Sequence, residues 1–368
     1  MVLGACQPAA QQPGSSSSPT STSTPVSSPS PATTGTRALV LVVSAPRTAP
    51  HLLLYNPSSN TVETLVTSQA MESPRFVSAD RISYILDHKL IVRDLGSLRT
   101  EVVNEVGGLT TYAWAPGGSV FFLVDGMGGD ALLMGTGPAP KELATWALGG
   151  TAASEAVPQF EVEFSHGGRY FFAMDTFAAG PAQSPETRRL QVRRATGELA
   201  FAPPDTSKSF PSASQPLWSA VNDVLYFQEA DGIHAWDADS GRESLTLPGV
   251  HWYHPSASPG GQSIAYSTLD AAKVPSIEVY DLQRHTVTSS RRLGWAPVFV
   301  TADMLWYREE SPCPQSTCGA INAQSTDKVL AYQISSGKAI DLPFGQIWIA
   351  PYGVGALQGD SPAVVWND

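Results

Sequence analysis

The side chains of this chain that could do chemistry are carboxylates, a few histidines and three cysteines. Six carboxylates stand out by spacing: Asp87, Asp125, Asp175, Glu229, Asp270 and Glu309 each follow an aromatic residue by two to four positions. Asp in such places starts turns by accepting backbone N–H groups. The same six gathered at one edge would form a negative rim that attracts cations or a basic partner segment. Seven histidines are scattered, and the one close pair is His251 and His254. On an extended segment, residues three apart point to opposite faces, so the pair is expected to be ordinary loop residues and not joint metal ligands. Asp237-Ala238-Asp239-Ser240-Gly241 opens like a calcium loop but lacks the later ligands, including the terminal Glu, and reads as a hairpin turn. No metal or other cofactor is expected. There is no G-x-S-x-G elbow, no H-E-x-x-H, no P-loop and no complete G-x-G-x-x-G.

Cysteine use points to a compartment. Leu3-Gly4-Ala5-Cys6 reads as the cleavage site of a bacterial lipoprotein signal peptide, with Cys6 as the lipid attachment site; only five residues precede it. A working signal needs a charged start and an apolar stretch of roughly 7–15 residues, so the true start is expected upstream. Residues 7–36 contain 21 Ser, Thr or Pro, with no charge and no aromatic. Such a segment cannot bury enough apolar surface to order itself and is expected to be a disordered tether. The other two cysteines, Cys313 and Cys318, enclose four residues including Pro and Ser and suit a small disulfide loop in an oxidising compartment. A zinc half-site is the rival, but it needs a second ligand pair, and no histidine lies near.

Composition sets the class of elements that must position these groups. Hydrophobic residues make up 42% and charged ones 15%, with 31 Gly and 30 Pro, which suits a turn-rich β protein. The formal charge of −11 argues against a nucleic-acid binder, which needs a basic face. It also disfavours adsorption on anionic lipid, and no run approaches the roughly 20 apolar residues of a membrane helix.

From residue 37 onward one pattern recurs: an aromatic or small residue, a tight turn, then a short apolar strand ending in an aromatic. Its copies run from Phe76 to Tyr84, Trp114 to Phe122, Phe164 to Phe172, Trp218 to Tyr226, Ala257 to Tyr266 and Phe299 to Tyr307. A second hairpin follows in most units, as at Leu90–Gly96, Ile233–Gly241 and Val329–Gly337. Four strands per unit, repeating every 38 to 54 residues, is the signature of a β-propeller blade. At about 45 residues per unit, the body 37–368 predicts an all-β, seven-bladed propeller, with six or eight blades as alternatives. The closing blade is expected to be shared between Ala38–Val43 and the 52–66 hairpin at one end and Ile347–Ile349, with Ala363–Trp366 as a further strand, at the other. Closure of this kind removes unpaired sheet edges. The domain reading is therefore a truncated lipoprotein signal at 1–6, the tether at 7–36 and the propeller at 37–368.

The copies Ala257-Ser-Pro-Gly-Gly-Gln-Ser-Ile-Ala-Tyr266 and Trp114-Ala-Pro-Gly-Gly118 resemble the WD40-like repeat of the periplasmic TolB family, written W-S-P-D-G-x-x-I-A-Y. Gly260 stands where the family pattern has Asp, and four copies lack the Pro. The resemblance spans most of 37–345 and implies a propeller that binds protein segments. Two function classes follow. One is a monomeric, lipid-anchored, extracytoplasmic binding or scaffold module for a protein, peptide or glycan, touching the membrane through its anchor alone. The other is a propeller-type hydrolase or lyase with metal-bound water in the central channel. The innermost positions that can be placed, Phe76, Trp114, Phe164, Trp218 and Phe299, look like packing residues, which favours the non-enzymatic reading.

Overall fold

The tight turns of the repeat explain the strands they join. In the copies at 164 and 257 the serine after the first residue is buried, and its backbone N–H closes the turn: Ser165 donates to Tyr170 O at 3.0 Å and Ser258 to Ser263 O at 2.9 Å. The Ser258 hydroxyl accepts the N–H groups of Gln262 and Ser263, so the turn satisfies its own donors. The second glycine of each Gly-Gly pair, Gly168 and Gly261, takes a positive φ of 64° and 62°. That conformation favours a residue without Cβ. The third-to-fourth-strand turns use a different device. Asp94, Asp237 and Asp281 each accept the backbone N–H groups of the residues two and three positions on. All three carboxyls are held below their usual range, chiefly by those backbone hydrogen bonds.

A computed structural model describes 38–42, 51–56, 61–67, 71–105, 109–146, 159–178, 186–203, 215–342 and 363–366, less a few loop residues within these ranges. Among the described residues the strands, numbered along the chain, form seven four-stranded antiparallel sheets. The first sheet contains β1 (Ala38–Val42), β2 (His51–Asn56) and β3 (Thr61–Thr67), with the last strand, β28 (Ala363–Trp366), paired to β1. The second holds β4 (Met71–Ser78), β5 (Arg81–Leu86), β6 (Lys89–Asp94) and β7 (Thr100–Asn104). The third holds β8 (Leu109–Trp114), β9 (Val120–Gly126), β10 (Gly129–Met134) and β11 (Lys141–Trp146). The fourth holds β12 (Gln159–Phe164), β13 (Tyr170–Ala178), β14 (Glu186–Arg194) and β15 (Leu199–Phe201). The fifth holds β16 (Leu217–Trp218), β17 (Val224–Glu229), β18 (Gly232–Asp237) and β19 (Arg242–Pro248). The sixth holds β20 (Tyr253–Ala257), β21 (Ser263–Leu269), β22 (Pro275–Asp281) and β23 (Thr286–Ser289). The seventh holds β24 (Gly294–Thr301), β25 (Met304–Pro312), β26 (Ala323–Gln333) and β27 (Lys338–Asp341).

The core lies between sheets and not within any one of them. Leu52 and Leu54 of the first sheet pack on Ile82 and Tyr84 of the second. Phe172 and Val192 of the fourth meet Trp218 and Phe227 of the fifth, and Ile277 of the sixth meets Tyr307 of the seventh. Both faces of the middle strands are therefore covered, while fourth strands such as β23 are exposed along their length. The first strands gather around a common centre: β8 packs beside β4 and β12, β20 beside β16 and β24, and β28 beside β4. This is a β-propeller.

Near that centre hydrogen bonds join the second sheet to the third, the fourth to the fifth and the sixth to the seventh. Tyr112 Oη donates to Ser73 O at 2.7 Å, and Trp114 Nε1 to Ser83 Oγ at 2.7 Å. Trp218 Nε1 donates to Glu163 O at 3.1 Å, and Ala296 N–H to Ser267 Oγ at 2.9 Å. Farther out, Asp223 is a buried latch between the fourth and fifth sheets. It accepts Gly167 N–H at 2.8 Å and Arg169 Nε at 2.7 Å, while the same guanidinium reaches Asp239.

Candidate functional site

The six carboxylates selected from the sequence fall at the same end of their strands, within a span of five positions. Glu229 ends β17, Asp125 is one residue short of the end of β9, and Asp175 and Glu309 lie three short of the ends of β13 and β25. Asp87 and Asp270 come immediately after β5 and β21. Each is thus at the late end of the second strand of its sheet. Their surroundings differ. Asp87 and His88 take φ values of 50° and 62° and form the two-residue turn between β5 and β6. Asp270 accepts the N–H groups of Ala272 and Val274, both at 2.8 Å, which is turn chemistry. Glu229 belongs to a histidine cluster described below. The side chains of Asp125 and Asp175 lie outside the described residues, as do Cys6, the 7–36 tether, Cys318 and Ile347–Ile349. Cys313 donates its N–H to Asn322 O at 3.3 Å, at the base of the loop that carries Cys318.

The innermost strands carry charge that the sequence reading did not select. Arg75 of β4 places its guanidinium 5.8 Å from the centre of the Tyr112 ring of β8. Glu163 of β12 is solvent-accessible, yet burial pushes its carboxyl up and the Arg75 charge pulls it partly back. Glu161, two residues earlier on the same strand, accepts a hydrogen bond from Gln215 Nε2 at 2.9 Å. The second, third and fourth sheets thus contribute Arg75, Tyr112, Glu161 and Glu163 on their first strands, and Gln215 joins Glu161 from the segment just before β16. The available signal was Glu161-Val162-Glu163: two acids on one face of a strand whose alternate residue is buried. Of the residues expected to pack, Trp218 and Phe299 are buried, while Phe76, Trp114 and Phe164 are half-buried.

A second cluster sits farther out in the fifth sheet. His234 of β18 is nearly buried, its Nε2 2.7 Å from Asp231 Oδ1 and its Nδ1 2.7 Å from Glu243 Oε1. Burial draws the imidazole down, but the hydrogen bonds to Asp231 and Glu243 and the charges of Asp231 and Glu229 outweigh it, and the net shift is upward. The same contact holds Asp231 below the usual carboxylate range. The two histidines singled out in the sequence go separate ways, and His254 is not a loop residue but part of β20. His251 Nδ1 meets Gln228 Nε2 at 3.1 Å, whereas His254 is buried with its ring 5.4 Å from that of Trp295. In the calcium-like run, Asp237 bonds its own turn and Asp239 pairs with Arg169.

Comparison with solved structures agrees on the fold. TolB from Acinetobacter baumannii superimposes with a TM-score of 0.50 at 14% identity, covering 90% of this chain and 66% of that one. A prolyl endopeptidase matches with a TM-score of 0.59 at 12% identity over 84% of this chain and 47% of that one. A puromycin-hydrolysing peptidase from Mycobacterium tuberculosis matches with a TM-score of 0.54 at 12% identity over 83% and 53%. The chain thus spans roughly half to two thirds of the length of these three structures. No protein-family model and no curated protein matches the sequence. The chain has a TolB-like β-propeller fold, and these similarities carry the fold alone.

Proposed function

We propose that this chain is an extracytoplasmic, non-enzymatic binding module that receives a basic peptide segment of a protein partner at the centre of the propeller. The observation that carries this reading is the acidic pair on β12. Glu161 and Glu163 lie on the innermost strand, and Glu163 remains accessible although burial disfavours its charge. A carboxylate kept in such a place gains from a cationic guest, and Arg75 beside it offers a contact for a backbone carbonyl or a carboxylate on the same guest. The late-strand carboxylates and the net charge of −11 would steer such a segment toward the protein.

The seven sheets close as a seven-bladed ring through β28 and β1. Cys6 carries the lipid anchor, 7–36 is the tether and 37–368 the propeller, and Cys313 is bridged to Cys318. The oxidising envelope implied by an anchor is where such a disulfide persists.

The test is a fluorescence titration of the purified propeller with a labelled Lys/Arg-rich peptide of about ten residues. Wild type is expected to bind with an affinity that falls steeply with salt, and the double variant Glu161→Gln/Glu163→Gln to lose at least about tenfold. Equal binding by wild type and double variant, with both folded by circular dichroism, would sink the central-site reading.

A further inference from the structure

Glu229, His234 and Glu243 each offer one ligand atom, and those atoms all lie within 4.8 Å of one another. We propose that they form a binding site for one divalent first-row transition-metal ion, of which zinc is the representative. This site is separate from the central peptide site and stands or falls without it.

The donor set selects the ion. Imidazole with carboxylates suits zinc and its neighbours, whereas calcium and magnesium take oxygen ligands throughout. Donors that surround one zinc ion at about 2.0–2.2 Å must themselves stand a few ångströms apart, which is the separation found here.

A second feature points the same way. A metal-bound histidine almost always donates its other ring N–H to a carboxylate, which fixes its tautomer and orientation. Asp231 Oδ1, 2.7 Å from Nε2, is placed for that task and leaves Nδ1 facing Glu243. Without a metal, the 2.7 Å contact between Nδ1 and Glu243 Oε1 holds one proton. A bound ion takes that place: the Nδ1 lone pair and the Glu243 and Glu229 carboxylates form bonds to it, and the proton leaves to solvent.

The scaffold holds these groups in place. Glu229 ends β17, His234 is in β18 and Glu243 is in β19, so adjacent strands of one sheet supply all three. The pairing of β18 with β19 shifts register between Ile233 and His234, and this brings Glu243 within reach of a residue it does not directly face. Gly232 fixes the hairpin at φ 143°, where an added Cβ would come within 2.2 Å of Leu247 O. The Phe227 ring, 5.9 Å from the imidazole, backs it on one side. The Asp231 side chain is 63% exposed and that of Glu243 31%, so an ion can enter from water.

The experiment is isothermal titration of the whole, untagged protein with zinc chloride, with calcium chloride as the contrast. One equivalent of zinc is expected to bind and calcium to give no heat. His234→Ala and Glu243→Gln should each lose at least about 100-fold in affinity, and Asp231→Asn about 10- to 100-fold. Because a variant can fail to fold, cobalt(II) spectra of the wild type provide a second readout: coordination by nitrogen and oxygen ligands should give visible d–d bands that zinc abolishes. Absence of zinc binding up to about 1 mM, or zinc affinity unchanged in folded His234→Ala, would overturn the proposal. So would a cobalt spectrum identical to that of the hydrated ion.

Discussion

Single side chains in this protein do two opposed things to stability, and both can be measured. Asp223 stabilises. Its side chain is 2% exposed, and burial alone would raise its carboxyl, but hydrogen bonds from Ser165, Gly167 and Arg169 hold it below the usual range. A carboxyl with a depressed folded pKa contributes stability above the ordinary carboxylate range, and that contribution is lost as pH falls through the folded value. Asp223→Asn is expected to cost about 2 kcal/mol at neutral pH, with the difference shrinking in acid, as read by urea midpoints across pH. Glu163 does the reverse. Its carboxyl is raised, so ionisation opposes folding above the ordinary range. Glu163→Gln should leave the neutral-pH midpoint unchanged or higher; a clear drop would show that the charge is paired and not strained. Residues of the first kind were partly legible: Asp in a turn of the repeat is a recognisable signal. Glu163 and His234 were not, because nothing in a period-two pattern says which residues converge across strands. His234 meets Glu243 only through a register shift, and Glu163 meets Arg75 only because their strands share a centre.

At the scale of elements, the repeat was legible because each strand is bounded by turn chemistry that spells itself out, as in Ser258-Pro259-Gly260-Gly261 and the Asp281 turn. The packing between elements was less so. Gly294 opens β24 where the seventh sheet meets the sixth, and an added Cβ would fall 2.5 Å from Tyr307 Cδ2 and 2.7 Å from Ile277 Cδ1. Both neighbours are about 1% exposed, so neither can swing away. Gly294→Ala is therefore expected to cost about 1–3 kcal/mol by overpacking, seen as a lower midpoint in chemical denaturation. A neutral result would mean that the two sheets can separate by a few tenths of an ångström. Gly260, with an ordinary φ and no atom nearer to its Cβ than Gln262 Cγ at 4.0 Å, is the uncrowded control.

At the scale of the whole molecule, the first and last strands meet: Ala38 pairs with Trp366 and Leu41 with Ala363. Truncation after Phe344 removes β28 and should lower the denaturant midpoint of the entire propeller, because the proposed ring opens. An unchanged midpoint would show that the ring does not depend on that strand. The late-strand carboxylates should act collectively where individually they do little. Neutralising exposed Asp87 alone should change stability by no more than about 0.5 kcal/mol, while association with a basic peptide should slow with each neutralised residue and with added salt. The β1–β28 pairing also orders events in time. Two strands separated by nearly the whole body can pair only after everything between them has been made and brought close, so this contact is among the slowest to form. Until then Ala-Leu-Val-Leu-Val of β1 offers an apolar strand with no charge to deter a stranger. The interval before the last residues arrive is accordingly when this protein is most exposed to pairing with another copy of itself. Refolding yield should fall with protein concentration, and a peptide spanning 363–366 added in trans should restore it.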